Sequence, residues 1–286
     1  MIISSTLIKR LFFKGEERQF LCPKKEYHHI LKGDIKEPPS EAMIRGLLFE
    51  SICFRDKEAE EYYERKLRLN KGGQSVHTQR IYDAARMFDI VANKYEISIE
   101  DTQVPLHGTL EIERFEHIKF SLKGTADIIT PINSPGFGHN KAVIDVKLTM
   151  EFTDFGEYCW NSPQFMDHTQ AVLYSYLSGL PFAYLINSYS SKARGHKMIP
   201  IATPQLFPNG QPDDLNKLQH YNVAKDRFTD FKVVIKDVAH KVLKWHAEGF
   251  PSNPSFEACK HCPLNPLNYI DMGIPVCDNA SFTEII

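Results

Sequence analysis

No apolar run in this sequence approaches the roughly 18 residues that cross a bilayer, so a membrane-spanning helix is not expected. The first twenty residues, MIISSTLIKRLFFKGEERQF, mix charges into their apolar stretch and lack a small-residue cleavage site. That reads against a secretory signal, and a cytoplasmic location is expected. Internal repeats and low-complexity segments are missing too. So is any excess of positive charge: 34 Lys and Arg stand against 36 Asp and Glu, a formal net charge of -2. This balance excludes coating nucleic acid through bulk basicity; a DNA-binding chain with such a balance must gather its cations locally. Lys24, Lys25, His28, His29 and Lys32 form one such gathering, Arg65, Lys66, Arg68 and Lys71 a second, and Lys192, Arg194, His196 and Lys197 a third. Solvated surface accounts for any one of them taken singly. In a reducing compartment the 6 cysteines are expected as thiols or metal ligands, not disulfides.

What is present is a chain of 286 residues, 42% hydrophobic, long enough to bury one large core or two modest ones. Ser40 after Pro38-Pro39 reads as an N-cap, and a helix is expected through MIRGLLFESICF and on into EAEEYYERKLRLNKGG. Ser75 opens a second helical pattern. From about Ile97 the period shortens, and QVPLHGTLEIERF, IKFSLKGTADIITP and AVIDVKLT read as successive strands, with Asn133-Ser134-Pro135-Gly136 as the turn before the third. A helix over QFMDHTQAVLYSYLSG, strands over FAYLINSY and KMIPIAT, and a long helix from about Asp213 to Glu248 follow. The expected architecture is α/β, a central mixed sheet flanked by helices. We read residues 1–286 as a single domain: a mainly helical N-terminal part over 1–95, a core over 96–250 and a cysteine-containing tail over 251–286.

The chemistry centres on Asp145-Val146-Lys147. Asp-x-Lys alone is a weak signal, because Asp34/Lys36 and Asp230/Lys232 repeat it and Glu64/Lys66 gives its glutamate form. Those three lie in polar or helical surroundings. Asp145 instead lies among apolar β-formers, and strand alternation puts it on one face with Lys147 while Ile144, Val146 and Leu148 take the other. Two opposite charges on a half-buried strand cost desolvation unless they pair or bind a ligand. A buried ion pair would suffice if nothing else converged. Asp127, in the preceding strand, can point to the same side as Asp145. Two carboxylates held together repel unless a cation lies between them. Oxygen ligands at short range suit Mg²⁺ or Mn²⁺, which polarise a phosphoryl oxygen and acidify a bound water. Lys147 can orient that water or oppose charge building on the phosphate.

Two helices add to this. Gly46 and Glu50 lie one turn apart on the first, and Glu50 interrupts the apolar run GLLFESICF as either a partly buried ligand or a helix-edge charge. On the second, Gln170, Leu173, Tyr174 and Leu177 share one stripe, so Gln170 points where a core residue would and needs partners.

The order Gly46-x-x-x-Glu50, Gly124-x-x-Asp127, Asp145-x-Lys147 and Gln170-x-x-x-Tyr174 resembles the RecB-like branch of the PD-(D/E)XK nuclease superfamily. The likeness extends from Ser4-Ser5 to the C-terminal cysteines. No single motif is strong; four in the right order on the right elements are strong together. The resemblance implies hydrolysis of DNA phosphodiester bonds with Mg²⁺ or Mn²⁺. It makes Asp127 and Asp145 metal ligands, gives Val146 a ligating backbone carbonyl, makes Lys147 catalytic, and lets Gln170 and Tyr174 position the site or the strand. Glu50 would be an outer or second-metal ligand. RecB-like members commonly carry a His at that spacing, whereas λ-exonuclease-like relatives carry glutamate, so the number of metals is left open.

Members of this branch often hold an iron–sulfur cluster on one N-terminal and three C-terminal cysteines. Cys22, Cys259, Cys262 and Cys277 offer the four thiolates such a cluster takes. The long gap before Cys277 departs from the family's pattern, and a zinc knuckle or plain thiols stay open. Cys53 and Cys159 read as buried small residues. The reading that results is a metal-dependent DNA exonuclease of recombination, repair or phage DNA metabolism, with DNA and other recombination proteins as partners. A non-catalytic DNA-binding subunit of a helicase–nuclease complex and a cluster-bearing scaffold are the alternatives.

Overall fold

The computed structural model describes residues 1–14, 22–35, 38–68, 73, 75–110, 120–132, 141–155, 158–163, 166–190, 192, 194–201, 219–222, 227–252, 259, 262, 264 and 277. Its elements begin with β1 (Ile2–Ser4), α1 (Ser5–Ile8), α2 (Pro23–Glu26), α3 (Glu41–Cys53), α4 (Lys57–Leu67) and α5 (Val76–Lys94). Then come β2 (Thr102–Leu110), β3 (Phe120–Thr130), β4 (Ala142–Thr149), β5 (Asp154–Phe155), β6 (Tyr158–Cys159) and α6 (Thr169–Ser178). The last are β7 (Phe182–Ser188), β8 (Gly195–Pro200), β9 (Gln219–Asn222), β10 (Arg227–Asp230) and α7 (Phe231–Ala247). They fall into two compact units: Met1–Pro38 with Thr109–Leu122 and Lys232–Ile286, and Pro39–Gly108 with Lys123–Phe231.

The second unit holds the mixed sheet, in the order β2–β3–β4–β7–β8. β3 and β4 pair antiparallel, β4 and β7 parallel, and β7 and β8 antiparallel. Parallel pairing needs a crossover, and α6 supplies it. Every residue of β7 is buried, which is why FAYLINS reads as a continuous run without alternation. One face of the sheet contributes Ile128, Ile144, Val146 and Leu185 to a core shared with Leu48 and Phe49 of α3 and Ile81, Phe88 and Val91 of α5. The spacing of Ile81, Ala84, Ala85, Phe88, Val91 and Ala92 is the 3–4 residue stripe of a helix lying on such a face.

Caps act where the sequence places them. Ser40 accepts from the Met43 N–H at 3.3 Å and Ser75 from the Thr78 N–H at 3.1 Å. The single helix expected to run from Met43 into the charged stretch is instead two. Arg55 takes a left-handed φ of 60° and Asp56 starts α4 by accepting from the Ala59 N–H at 3.0 Å. The break lets Tyr63 and Leu67 of α4 pack against the core that α3 already covers. The helix expected from Gln164 begins at Thr169, where Asp167 Oδ1 accepts the Thr169 N–H at 2.8 Å; residues 164–165 lie outside the described residues. The long helix expected from about Asp213 begins at Phe231, preceded by the β9–β10 hairpin, which pairs Tyr221 with Phe228. Residues 213–218 and the turn at 133–136 lie outside the described residues.

In the first unit, the Ser121 N–H donates to the Met1 carbonyl at 2.8 Å, and Tyr27 stacks on Phe250 with ring centroids 4.4 Å apart. Arg10 grips Glu26 through both carboxylate oxygens at 2.8 and 2.9 Å. Val234, Ile235, Val238, Ala239 and Val242 of α7 are fully buried. Among the described residues no helix is long and apolar enough to cross a membrane.

Candidate active site

Alternation along β4 sends Ile144 and Val146 into the core and turns Asp145 and Lys147 to the opposite face. Asp145 is fully buried. Its Oδ2 pairs with the Lys147 ammonium, and its Oδ1 accepts from the Gln170 side-chain amide of α6. The β3–β4 ladder runs through Ile128↔Ile144. One step on, Asp127 Oδ2 accepts the Val146 N–H at 2.8 Å, so a side chain stands where a strand carbonyl would. Asp127, Asp145 and Lys147 therefore meet on one side of one sheet.

Their electrostatics are those of crowded, desolvated acids. Burial pushes the Asp127 carboxyl well above the ordinary carboxylate range, and repulsion from Asp145 adds to it. Glu50 comes to the same group from α3. Burial raises its pKa to about 7, and Asp145 pushes the same way against the pull of Lys147. Burial works against the Lys147 ammonium, yet attraction from Asp145, Asp127 and Glu50 outweighs it and its pKa rises. Ionised, the three acids and one lysine carry a net charge of −2, unfavourable out of water unless protons or a further cation offset it.

α6 supports the acids from the other side. Tyr174 is 7% exposed, and its phenol oxygen receives the Thr125 backbone N–H and a hydrogen bond from Gln170. Burial, followed by the charge of Asp145, raises its pKa. The ring lies against Gly124: a Cβ there would approach Tyr174 Cδ1 to 2.9 Å, and Cε1 more closely still. Glycine in the Gly124-x-x-Asp127 pattern thus leaves room for the aromatic of Gln170-x-x-x-Tyr174. Gly124→Ala is expected to cost about 1–3 kcal/mol as the overpacked ring shifts, measurable as a lower midpoint of urea unfolding. Gly46 differs, since a Cβ there meets nothing within 4 Å. Gly46→Ala in α3 should raise stability by about 0.5–1 kcal/mol through helix propensity.

Glu50 and Lys147 also line a cavity of about 670 Å³ with Met43, Gly46, Leu47 and Trp160. Sequence patterning pointed to Gly46 but not to Met43, Leu47 or Trp160. The nearest available signal was Met43, exposed at 60% two turns before Glu50 on the same helix. Arg45, also missed, donates to the Tyr189 hydroxyl at 3.2 Å and pairs with Glu41. Two of the other Asp-x-Lys spacings have their own surroundings. Asp34 pairs with Lys32 and with His28 at 3.0 Å, while Asp230 ends β10.

In the first unit, Cys262 is 7% exposed and its thiol pKa is pushed up by burial, with the charges of Cys22 and Cys259 adding. Cys277 packs against Ile35, Cys262 and Leu264, and its N–H donates to the Leu264 carbonyl at 3.0 Å. The four cysteines named from the two ends of the sequence are thus gathered locally. Cys53 is buried in the core, as expected; Cys159 is only half-buried because it lies in the short β5–β6 hairpin. No cysteine is in a disulfide. Among the described residues, no three His, Cys, Asp or Glu side chains are disposed as they stand to hold a metal ion. In the acidic group, the Lys147 ammonium is paired with Asp145.

No family model matches the sequence, and no curated protein matches it. Among solved structures, the chain is similar to SSO0001, at 12% identity over 87% of this chain and 96% of that one with a TM-score of 0.33. It is also similar to a Eubacterium rectale protein provisionally assigned as an exonuclease, at 16% identity over 92% of this chain and 88% of that one with a TM-score of 0.57. That last likeness shows the fold: a mixed α/β architecture with a central mixed sheet flanked by helices.

Proposed function

We propose that this chain is a divalent-cation-dependent deoxyribonuclease of the PD-(D/E)XK type, RecB-like or λ-exonuclease-like, acting on DNA in the cytoplasm. The observation that carries the reading is the meeting of Asp127, Asp145 and Lys147, with Glu50 close enough for their charges to shift its pKa. The donor set fits the group: buried carboxylate oxygens with surplus negative charge are what a hard cation neutralises. Asp127, Asp145, the Val146 carbonyl and Glu50 would hold it. When bound, Mg²⁺ or Mn²⁺ supplies Lewis acidity toward the phosphoryl oxygen and lowers the pKa of water.

The chain's own residues do the rest. Gln170 fixes the Asp145 carboxylate by donating to Oδ1, and Tyr174 anchors Gln170 to β3 through Thr125. The Val146 N–H fixes Asp127. Lys147 keeps its proton at neutral pH, so it enters the reaction as a cation facing the charge that builds on the phosphate. A fold likeness to a protein assigned as an exonuclease agrees with this. Incubation with linear and with circular DNA, with and without Mg²⁺ or Mn²⁺, tests the reading. Cleavage of linear DNA only, abolished by chelation, is expected. Absence of cleavage with any divalent ion would hand the fold to the non-catalytic DNA-binding role.

The cysteines belong to the same proposal. Four thiols in one neighbourhood match in number the thiolates of an iron–sulfur cluster or of a zinc site, although they would have to draw together to hold either. Anaerobically purified protein is expected to be brown and to contain iron. Colourless protein containing zinc would assign a zinc knuckle, and protein with neither would leave plain thiols.

A further inference from the structure

A second cavity, of about 260 Å³, opens beyond the C-terminal end of β7, where Arg80, Asp83 and Arg86 of α5 meet Ser188, Tyr189 and Arg194. Three guanidinium groups there face one carboxylate. Asp83 pairs with Arg194 at 3.1 Å and with Arg86 at 3.5 Å, whereas Arg80 makes no ion pair among the described residues. The cavity thus has a surplus of two positive charges in a chain whose net charge is -2. Two of its cations are well exposed, Arg86 at 76% and Arg194 at 57%.

Its place relative to the acids is set by the sheet. In the parallel pairing of β4 with β7, Lys147 is opposite Ile186 and Thr149 opposite Ser188. The Tyr189 N–H then donates to the Thr149 carbonyl at 3.1 Å. The cavity therefore opens at the same end of the sheet as Lys147, on the face that α5 covers, opposite the face that carries Asp145 and Lys147. A strand with one phosphate at Lys147 would pass round that end of the sheet to bring another phosphate to the arginines. Guanidinium forks match phosphate oxygens in paired hydrogen bonds and stay charged at all working pH values.

We propose that Arg80, Arg86 and Arg194 form a phosphate-binding site for the DNA strand, away from the bond to be cleaved. The inference deepens the nuclease reading and rests on it. Asp83 is its built-in competitor: it holds two of the guanidiniums until a phosphate displaces it.

The test is binding of fluorescein-labelled dT12 without divalent ions, over a range of salt. Changing all three arginines to glutamine is expected to weaken binding at least tenfold at low salt. It should also reduce the slope of log K against log salt by about 2, as loss of three single-strand phosphate contacts requires. Asp83→Asn is expected to tighten binding roughly threefold, the size of one exposed ionic contact, a gain that misfolding does not produce. Hydrolysis of bis(p-nitrophenyl) phosphate, too small to span from the acids to the arginines, should stay within twofold in every variant. A parent that hydrolyses nothing defeats the nuclease reading, while the binding arms still decide this site. An unchanged salt slope in the triple variant overturns the site, as does no gain from Asp83→Asn. Competition by polyglutamate as effective as that by unlabelled dT12 would also overturn it, since the surface would then be one for acidic protein.

Discussion

Asp145→Ala and Lys147→Ala are each expected to lower DNA cleavage at least 100-fold, the size of effect seen when one preorganised electrostatic group is lost at a reacting centre. The two should differ in metal binding. Asp145 contributes oxygen donors and is held by Gln170, so its loss should weaken Mg²⁺ or Mn²⁺ binding in calorimetry. Lys147 contributes a competing ammonium against that same carboxylate, so its removal should leave cation binding intact or tighten it. The control is Asp230→Ala, a residue of identical local spacing at the end of β10, which should keep full activity. Fast cleavage by the Asp145 variant together with failure of the Asp230 variant would move the active site elsewhere.

The second large effect is on stability against pH. Burial lifts the folded-state pKa of Glu50 from the ordinary 4.5 to about 7, and Asp127 moves the same way. A carboxyl raised on folding favours the folded state while protonated. Its contribution is complete below the unfolded value and is lost as pH rises through 7. Without divalent ions the protein should therefore lose stability between pH 5 and 8, by about 3 kcal/mol from Glu50 alone as an upper figure. Lys147 stays charged across that range and adds no slope. Glu50→Gln should flatten the profile. Saturating Mg²⁺ should flatten it in the parent too, because the cation binds better as the acids ionise. A parent profile already flat without metal would show that the Glu50 carboxylate is well solvated.

Much of this was legible from local pattern. The alternation that sorts Asp145 and Lys147 from Ile144 and Val146 is a property of any strand with one apolar face, and β4 runs over AVIDVKLT as read. The Ser40 and Ser75 caps act through side-chain oxygens three residues from their targets, so four residues suffice to see them. The Arg55–Asp56 break was less visible. Its left-handed residue is not a glycine, and the apolar and charged stretches join in a continuous helical pattern. The β9–β10 hairpin was missed for a related reason: a polar stretch next to a strongly amphipathic helix reads as its extension.

What the sequence by itself determined is which residues share a face: Asp145 with Lys147, Gln170 with Tyr174, and Gly46 with Glu50, since each pair is fixed by a strand or helix period within a few residues. Only the tertiary structure decided which faces meet. Gln170 reaches Asp145 because α6 makes the crossover between two parallel strands. Gly124 is small because Tyr174 lies on it, a contact across fifty positions of sequence. Asp127 replaces a ladder carbonyl at Val146, which depends on where the registered β3–β4 pairs stop. The arginines around Asp83 come from a helix and a loop more than a hundred residues apart, brought together at the end of β7 and bridged by the Asp83–Arg194 pair. Desolvation, which pushes the acids upward, is likewise a sum over all the chain packed around them, and no window of sequence contains it.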